Sequence, residues 1–348
     1  MWAGKTAGFT HDSRRAGACT GARSFKRGLA ALALVLACVA LGACGRGGGA
    51  GVADTGTNLA SATPWRTFEN ADGSVTAIAR PPQRILSTSV AITGTLLAID
   101  APVVASASSA KNQFFAQWAE VARQRKLENV WPAGSVDLET AYAVKPDLIV
   151  VATSGADSAM AQLAELKKIA PTVVLDYGSQ TWQDLALELG RATGHEAQAA
   201  ARIAAFDQHV AEARGRIRLP EGKTNIISFN GAGMANPIAT RESPHGRLLG
   251  ALGFDLEEPD PAWQTNTAGA RGDFVWAPYE NLSRLAARTT FLLNVDDSGT
   301  RGFLDDPVLA NLPSVQARQV YGLGRNSFRI DYYSATGIVD DIVEKFAK

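Results

Sequence analysis

The sequence predicts an α/β protein built as two lobes with mostly parallel sheets, and three observations point there. Short apolar, β-branched runs alternate with helix-like stretches. This alternation occurs before and after the middle of the chain. Between the two series lies one uninterrupted periodic stretch, Glu196–Arg218. Strand and helix in turn imply parallel sheets covered by helices. The 348 residues exceed what one simple core organises. At 46% hydrophobic and 20% charged, the composition is ordinary for a globular protein.

The N-terminus is set apart. A basic region ends at Lys26-Arg27, and the apolar run Leu29–Leu41 follows. That run is too short to span a bilayer and fits the core of a signal peptide. Leu41-Gly42-Ala43-Cys44 then places small residues before a cysteine, as in a bacterial lipobox, so residues 1–43 are expected to be removed and Cys44 lipidated. Ser13-Arg14-Arg15 does not continue into a twin-arginine motif. Residues 44–63, rich in Gly, Ala, Thr and Ser, read as a flexible tether. Cys19 and Cys38 lie in the removed segment, so the mature body has no partner for a disulfide and no thiolate metal site. The whole chain carries 34 basic and 34 acidic residues. Removing residues 1–43, with six basic residues and Asp12, leaves 28 and 33, a net of −5. That mildly acidic body argues against nucleic acid as a partner.

Residues 64–181 form the expected first lobe. Trp65–Ile78 alternates around Asp72-Gly73 and suggests a hairpin. Strands are expected at Arg84–Ser89, Val103–Ser108, Leu148–Thr153 and Thr172–Tyr177, with helices at Ala116–Lys126 and Ser158–Ile169. Ligands on such sheets sit beyond the strand C-terminal ends. Here those ends are Thr88-Ser89, Ser108-Ser109, Thr153-Ser154-Gly155 and Tyr177-Gly178, small and polar as a cleft wall needs and as loops often are. Glu139 falls in the first turns of a short helix opened by Val136-Asp137, where the helix dipole favours a carboxylate.

Residues 182–218 connect the halves: a helix at Trp182–Thr193, a break at Gly194, then Glu196–Arg218. In the latter, Ile203, Phe206, Val210, Ala213 and Ile217 share one face, and Glu212 and Arg216 sit one turn apart on the other. The stretch has no Pro, its single Gly215 is near the end, and Pro220 terminates it. It would run about 34 Å. Periodicity alone leaves it as either a rod between lobes or a packing helix within one larger domain.

Residues 219–348 repeat the pattern, with strands at Asn225–Asn230, Thr290–Val295 and Gln319–Gly322 and helices at Leu248–Leu252, Tyr279–Leu285 and Asp331–Phe346. Gly231-Ala232-Gly233 follows a strand, but the third glycine of a dinucleotide fingerprint is replaced by Asn236-Pro237, so it reads as a loop. No GxSxG elbow, P-loop or HExxH is present, which argues against an enzyme such as a hydrolase or reductase. His195, His209 and His245 show no transition-metal spacing. Arg241, Arg271, Arg301, Arg325 and Arg329 fall in loop-like contexts, several beside aromatics, as in Asn326–Tyr333. Arginine recognises oxyanions through a planar fork and stacks on rings, so two or three in a cleft would suit an anionic, aromatic ligand.

Several segments carry a more specific resemblance: Pro82–Ser89 with Thr93–Val103, Gln117-Trp118, Lys145–Ile149, Thr193–Glu196 and Arg329–Ala335. From about Thr67 to the C-terminus, the chain resembles the helical-backbone substrate-binding proteins of iron-siderophore and vitamin B12 importers. The resemblance implies the class III periplasmic binding protein fold, two α/β lobes joined by one long rigid helix, with ligand held between them. It implies a monomeric, exported, lipid-anchored protein without catalytic activity, cofactor or protein-bound metal. Its expected ligand is a ferric catecholate siderophore of the enterobactin type, whose iron arrives already chelated. Its expected partners are the permease and ATPase subunits of an ABC importer.

By this resemblance Arg271 and Arg329 match cleft arginines facing the anionic ligand, with Arg241 and Tyr332 as further candidate contacts. Glu139 and Glu280 match carboxylates, one per lobe, that dock onto permease arginines. Ile238-Ala239-Thr240 is small and aliphatic where an aromatic is expected, and Arg241 is an extra charge. Another ferric siderophore, haem or a corrinoid therefore stays open as ligand.

Overall fold

The structure is a computed structural model describing residues 63–265 and 272–348. The expected signal segment, Cys44 with the expected tether, and Arg271 lie outside the described residues.

The chain enters through the hairpin expected around Asp72-Gly73, β1 (Arg66–Glu69) against β2 (Val75–Ile78). The first lobe then runs β3 (Ile85–Ser87), α1 (Val90–Ala98), β4 (Val103–Ser108), α2 (Ala116–Gln124) and β5 (Glu128–Pro132). It continues with α3 (Leu138–Val144), β6 (Leu148–Ala152), α4 (Leu163–Ile169) and β7 (Thr172–Leu175). Its five strands are all parallel, in the order β5-β4-β3-β6-β7. The runs LIVVA and TVVL are fully buried because helices cover both faces. Winding reverses between β3 and β6, which opens a crevice beyond their C-terminal ends.

Two helices follow. The first, α5 (Trp182–Thr193), starts in a capping box of Thr181 and Asp184 and ends on Gly194 at φ +79°, a left-handed position that favours glycine. The second, α6 (Glu196–Arg216), is the expected long helix, two residues shorter than its periodicity suggests. Ile217 leaves the helix in an extended conformation and bridges to Ala347, and the Arg218 amide donates to the Phe346 carbonyl at 2.7 Å. Ile217 is buried by that pairing rather than by a further helical turn. Phe206, Val210 and Ala213 are buried as their spacing requires, whereas Ile203 is only half-buried.

The second lobe comprises β8 (Thr224–Ile227), β9 (Ala235–Ala239), α7 (Pro244–Leu252), β10 (Phe274–Pro278), β11 (Thr289–Leu292), α8 (Arg301–Leu304), α9 (Pro313–Gln316), β12 (Val320–Gly322) and α10 (Tyr332–Phe346). Its sheet order is β10-β9-β8-β11-β12, and β9 alone runs against its neighbours. The Gly231–Gly233 segment is the β8–β9 loop. The buried Asn236 side chain closes it, accepting from the Asn230 amide at 2.7 Å and the Gly231 amide at 3.2 Å.

One apolar core is continuous through both lobes, from Ile85 and Leu97 past Phe206 and Val210 to Phe254 and Phe291. Two further clusters fill the opposite face of each sheet. The long helix is not the sole connection. α10 packs on α1 and α2 of the first lobe as well as on α6. At its start Tyr332 stands edge-on to Trp182 and Phe206, and at its end Phe346 stands edge-on to Phe254, Phe291 and Tyr321. The C-terminal helix is thus a second strap across the lobes.

Candidate ligand-binding cleft

Polar groups converge where the first lobe's winding reverses. Asp157, in the loop after β6, is nearly fully buried. Its Oδ2 accepts from Ser89 Oγ at 2.6 Å and from the Ala91 amide at 3.0 Å, in the first turn of α1. Its Oδ1 accepts from the hydroxyl of Tyr177, just past β7, at 3.1 Å. Gly155, at φ +97°, leaves room for this arrangement: a Cβ there would lie 2.1 Å from Tyr177 Oη. Burial raises the Tyr177 pKa, opposed by the positive charge of Arg329.

The second lobe supplies that charge. Arg329 Nη1 donates to Tyr177 Oη at 3.2 Å, and its guanidinium carbon lies 5.4 Å from the ring centroid. Two residues on, Asp331 caps α10 by accepting from the Ser334 amide at 2.9 Å, and Ser334 Oγ accepts in return from the Asp331 amide. Ser334 Oγ also donates to the Arg329 carbonyl at 2.7 Å, so the cap fixes the backbone that carries the arginine. Burial raises the Asp331 pKa. Phe328 stacks on Phe274 at 5.9 Å, and both line the cleft with Arg329.

His245, in the first turn of α7, is another buried cleft residue. Its Nε2 lies 2.7 Å from the Ser327 carbonyl, an acceptor, so the proton belongs on Nε2. Burial lowers its pKa to about 4, which keeps the ring neutral.

The inner cleft holds about 80 Å³ and widens past Gln180 and Thr181 into a region of about 570 Å³ bounded by Glu242, Arg247 and Gly272. A depression of about 620 Å³ adjoins the cleft at Thr181 and Pro244 and lies between α5, α6 and α7, floored by Ile203, Phe206, Val210 and Leu248. It explains the half-burial of Ile203. It lacks the strand-end polar groups, so the cleft is the candidate site.

Of the residues singled out in the sequence, Arg329 stands on the cleft wall. Arg241 is engaged elsewhere, hydrogen-bonded to the Leu256 carbonyl and paired with Asp255 at 3.1 Å and Glu258 at 3.9 Å. Tyr332 lies in the shared core, with the Arg202 guanidinium 4.9 Å from its ring centroid. The structure therefore does not bring either beside Arg329. Arg271 directly precedes Gly272, which bounds the outer cleft. Glu139 is exposed in the first turn of α3, whose cap Asp137 accepts from the Glu139 amide at 3.0 Å. Glu280 is exposed in the first turn of a 3-10 helix, Tyr279–Arg284. Sequence reasoning missed Asp157 and His245 as cleft residues and marked Tyr177 only as part of a polar strand end.

A family model described as periplasmic binding protein matches residues 85–326. The chain belongs to that family. The curated relatives that this periplasmic binding protein matches include the ferric enterobactin-binding periplasmic protein FepB of Escherichia coli O6:H1. The two are 39% identical over 302 residues, covering 84% of this chain and 94% of FepB. The iron(3+)-hydroxamate-binding protein YxeB of Bacillus subtilis is 33% identical over 190 residues, covering 53% of this chain and 52% of YxeB. Among solved structures, holo-ViuP superposes with a TM-score of 0.78 at 52% identity, covering 81% of this chain and 95% of ViuP. Staphylococcus aureus SirA with staphyloferrin B, at 21% identity and a TM-score of 0.62, shares the fold; coverage is 80% of this chain and 98% of SirA. The two-lobed fold expected from the sequence is the one these binding proteins adopt. Family membership places its work outside the cytoplasm. No helix among the described residues is long and apolar enough to cross a membrane.

Proposed function

We propose that this periplasmic binding protein captures a ferric catecholate siderophore of the enterobactin type and delivers it to the permease of an ABC importer. The observation that carries the reading is the Arg329 guanidinium on an aromatic cleft wall, in a chain 39% identical to FepB along nearly all of that protein's length. A guanidinium recognises phenolate oxygens by charge-assisted hydrogen bonds worth about 1.5–3 kcal/mol each. Phe328, half-buried on the cleft wall and backed by the buried Phe274, offers an aromatic surface to the catechols. Arg271, which lies outside the described residues, is a second candidate cation for the ligand by the family resemblance. The iron enters chelated, so the protein contributes binding rather than catalysis, cofactor or metal ligands. Cys44 carries the lipid anchor, and Glu139 and Glu280 meet the permease.

The test is a fluorescence titration of the purified protein against a siderophore panel with cobalamin as the neutral control. Ferric enterobactin or a close analogue quenches intrinsic fluorescence at sub-micromolar concentration, and cobalamin does not. Silence toward every ferric catecholate would overturn the ligand assignment.

A further inference from the structure

We propose that Tyr177, oriented by Asp157, is the residue that positions Arg329 for ligand, holding the guanidinium in place while leaving its positive charge unneutralised. The inference rests on the anionic-ligand reading above.

The direction of each hydrogen bond follows from the groups present. Asp157 is an acceptor, and its Oδ2 is filled by Ser89 Oγ and the Ala91 amide. The one hydroxyl proton of Tyr177 goes to Oδ1 of Asp157. The Tyr177 oxygen must then present its lone pairs outward, and Arg329, which has donors only, is the group that meets them. The relay runs from α1 and the β6 loop on the first lobe to the start of α10 on the second.

Its value lies in what it avoids. A carboxylate in direct contact with Arg329 would form an ion pair that an incoming anion must break, and part-buried pairs are costly to break. Here the Asp157 carboxylate stands one group removed, and although Asp273 and Asp331 also line the cleft, the Arg329 side chain hydrogen-bonds to Tyr177 and forms no ion pair among the described residues. The phenol contacts Arg329 without neutralising it, and its ring lies 5.4 Å from the guanidinium carbon. One of the five guanidinium N–H groups is used on Tyr177. The arginine reaches the ligand already ordered, which removes part of the entropic cost of binding. The Asp331–Ser334 cap fixes its main chain, and Tyr177 fixes its head group.

The experiment is a double-mutant cycle on the full mature protein, with ferric enterobactin as the probe. Y177F weakens binding roughly tenfold, the loss of one hydrogen bond to a charged group. In an R329Q background the same Y177F change costs less than about twofold, because the group it positions is gone. D157N follows Y177F in both backgrounds. Equal losses from Y177F with and without Arg329, or no loss at all, would overturn the proposal. A ligand-free arm separates this from failure of the ligand reading. In protein carrying ¹³C-labelled tyrosine, the Tyr177 Cζ resonance, assigned with Y177F, shifts in R329Q and not in R123Q, at an exposed site on α2. If that resonance is indifferent to Arg329, the proposal fails whatever the protein binds. If it responds and no ferric catecholate binds, only the ligand assignment falls.

Discussion

Gln117 Nε2 donates to Asp331 Oδ2 at 3.1 Å and ties α2 of the first lobe to the cap of α10, 214 residues later. Asp331 is buried, so this contact and the Ser334 cap are what keep its carboxylate satisfied. Gly94 of α1 makes room for it: a Cβ there would sit 2.7 Å from Asp331 Oδ2 and 2.9 Å from Trp118.

D331A should therefore lower stability by about 2–3 kcal/mol, combining a lost N-cap with a stranded Gln117 amide. D331N should cost well under half of that, since its oxygen keeps the cap and Gln117 turns its own oxygen to the new amide. G94A should cost about 1–3 kcal/mol by overpacking. Urea unfolding of the three variants measures this. Equal effects of D331A and D331N would show that the carboxylate position contributes only through its charge.

How far these contacts could be read in advance depends on their range. The central strands of the first lobe were legible because β6 and β7 are continuous apolar runs bounded by turns, and α6 because its apolar residues keep one face. β9 and β10 escaped notice because each contains a proline, Pro237 and Pro278, and β9 runs antiparallel inside a mostly parallel sheet. In β9, Pro237 offers only its carbonyl, which accepts from the Ser228 amide at 2.8 Å. Asp157 and His245 left no local pattern because their meaning comes from partners at Ser89, Tyr177 and Ser327, far along the chain. Arg241 and Tyr332 were ambiguous for the same reason. An arginine near acidic residues and a tyrosine at a helix start read alike whether they face ligand, surface acids or core. The double role of α10 was hidden as well, since helical periodicity does not say which lobe a face will meet.

His245 should make the fold sensitive to acid. Burial lowers the His245 pKa to about 4 from its ordinary 6.5. Between these values the unfolded chain binds a proton that the folded chain refuses, so stability is lost as pH falls from 6.5 toward 4. The contribution is roughly 3 kcal/mol over that window. Asp331 acts with the opposite sign: its raised pKa makes the folded chain take a proton first, so its own term favours folding on acidification. H245Q isolates the histidine, because Gln keeps an N–H for the Ser327 carbonyl and does not titrate. Urea unfolding from pH 7 to 4 should show wild-type stability falling relative to H245Q by about that amount. A constant difference across the range would mean that the imidazole is not held neutral.

Delivery of ligand should depend on one exposed carboxylate in each lobe. α6 and α10 both cross between the lobes over one continuous core, so large hinge closure is not expected on binding. In the proposed docking, the permease would meet a nearly fixed pair of surfaces. Glu139 sits on one, beside a shallow apolar depression formed by Leu138, Tyr142 and Ile169, with Tyr142 70% exposed. Glu280 sits on the other, exposed at the start of its short helix. Neither carboxylate lines the cleft, so E139A/E280A should leave ferric siderophore affinity within about twofold of wild type. It should abolish uptake in cells that depend on this protein for iron, because charge pairs at an interface set register and encounter rate. The E139Q/E280Q pair should fail in the same way, since it keeps the shape and removes the charge. Normal uptake by both pairs, measured with radiolabelled iron beside a fluorescence titration of the same protein, would refute the docking role. Lost affinity would instead place one of these carboxylates in the ligand site.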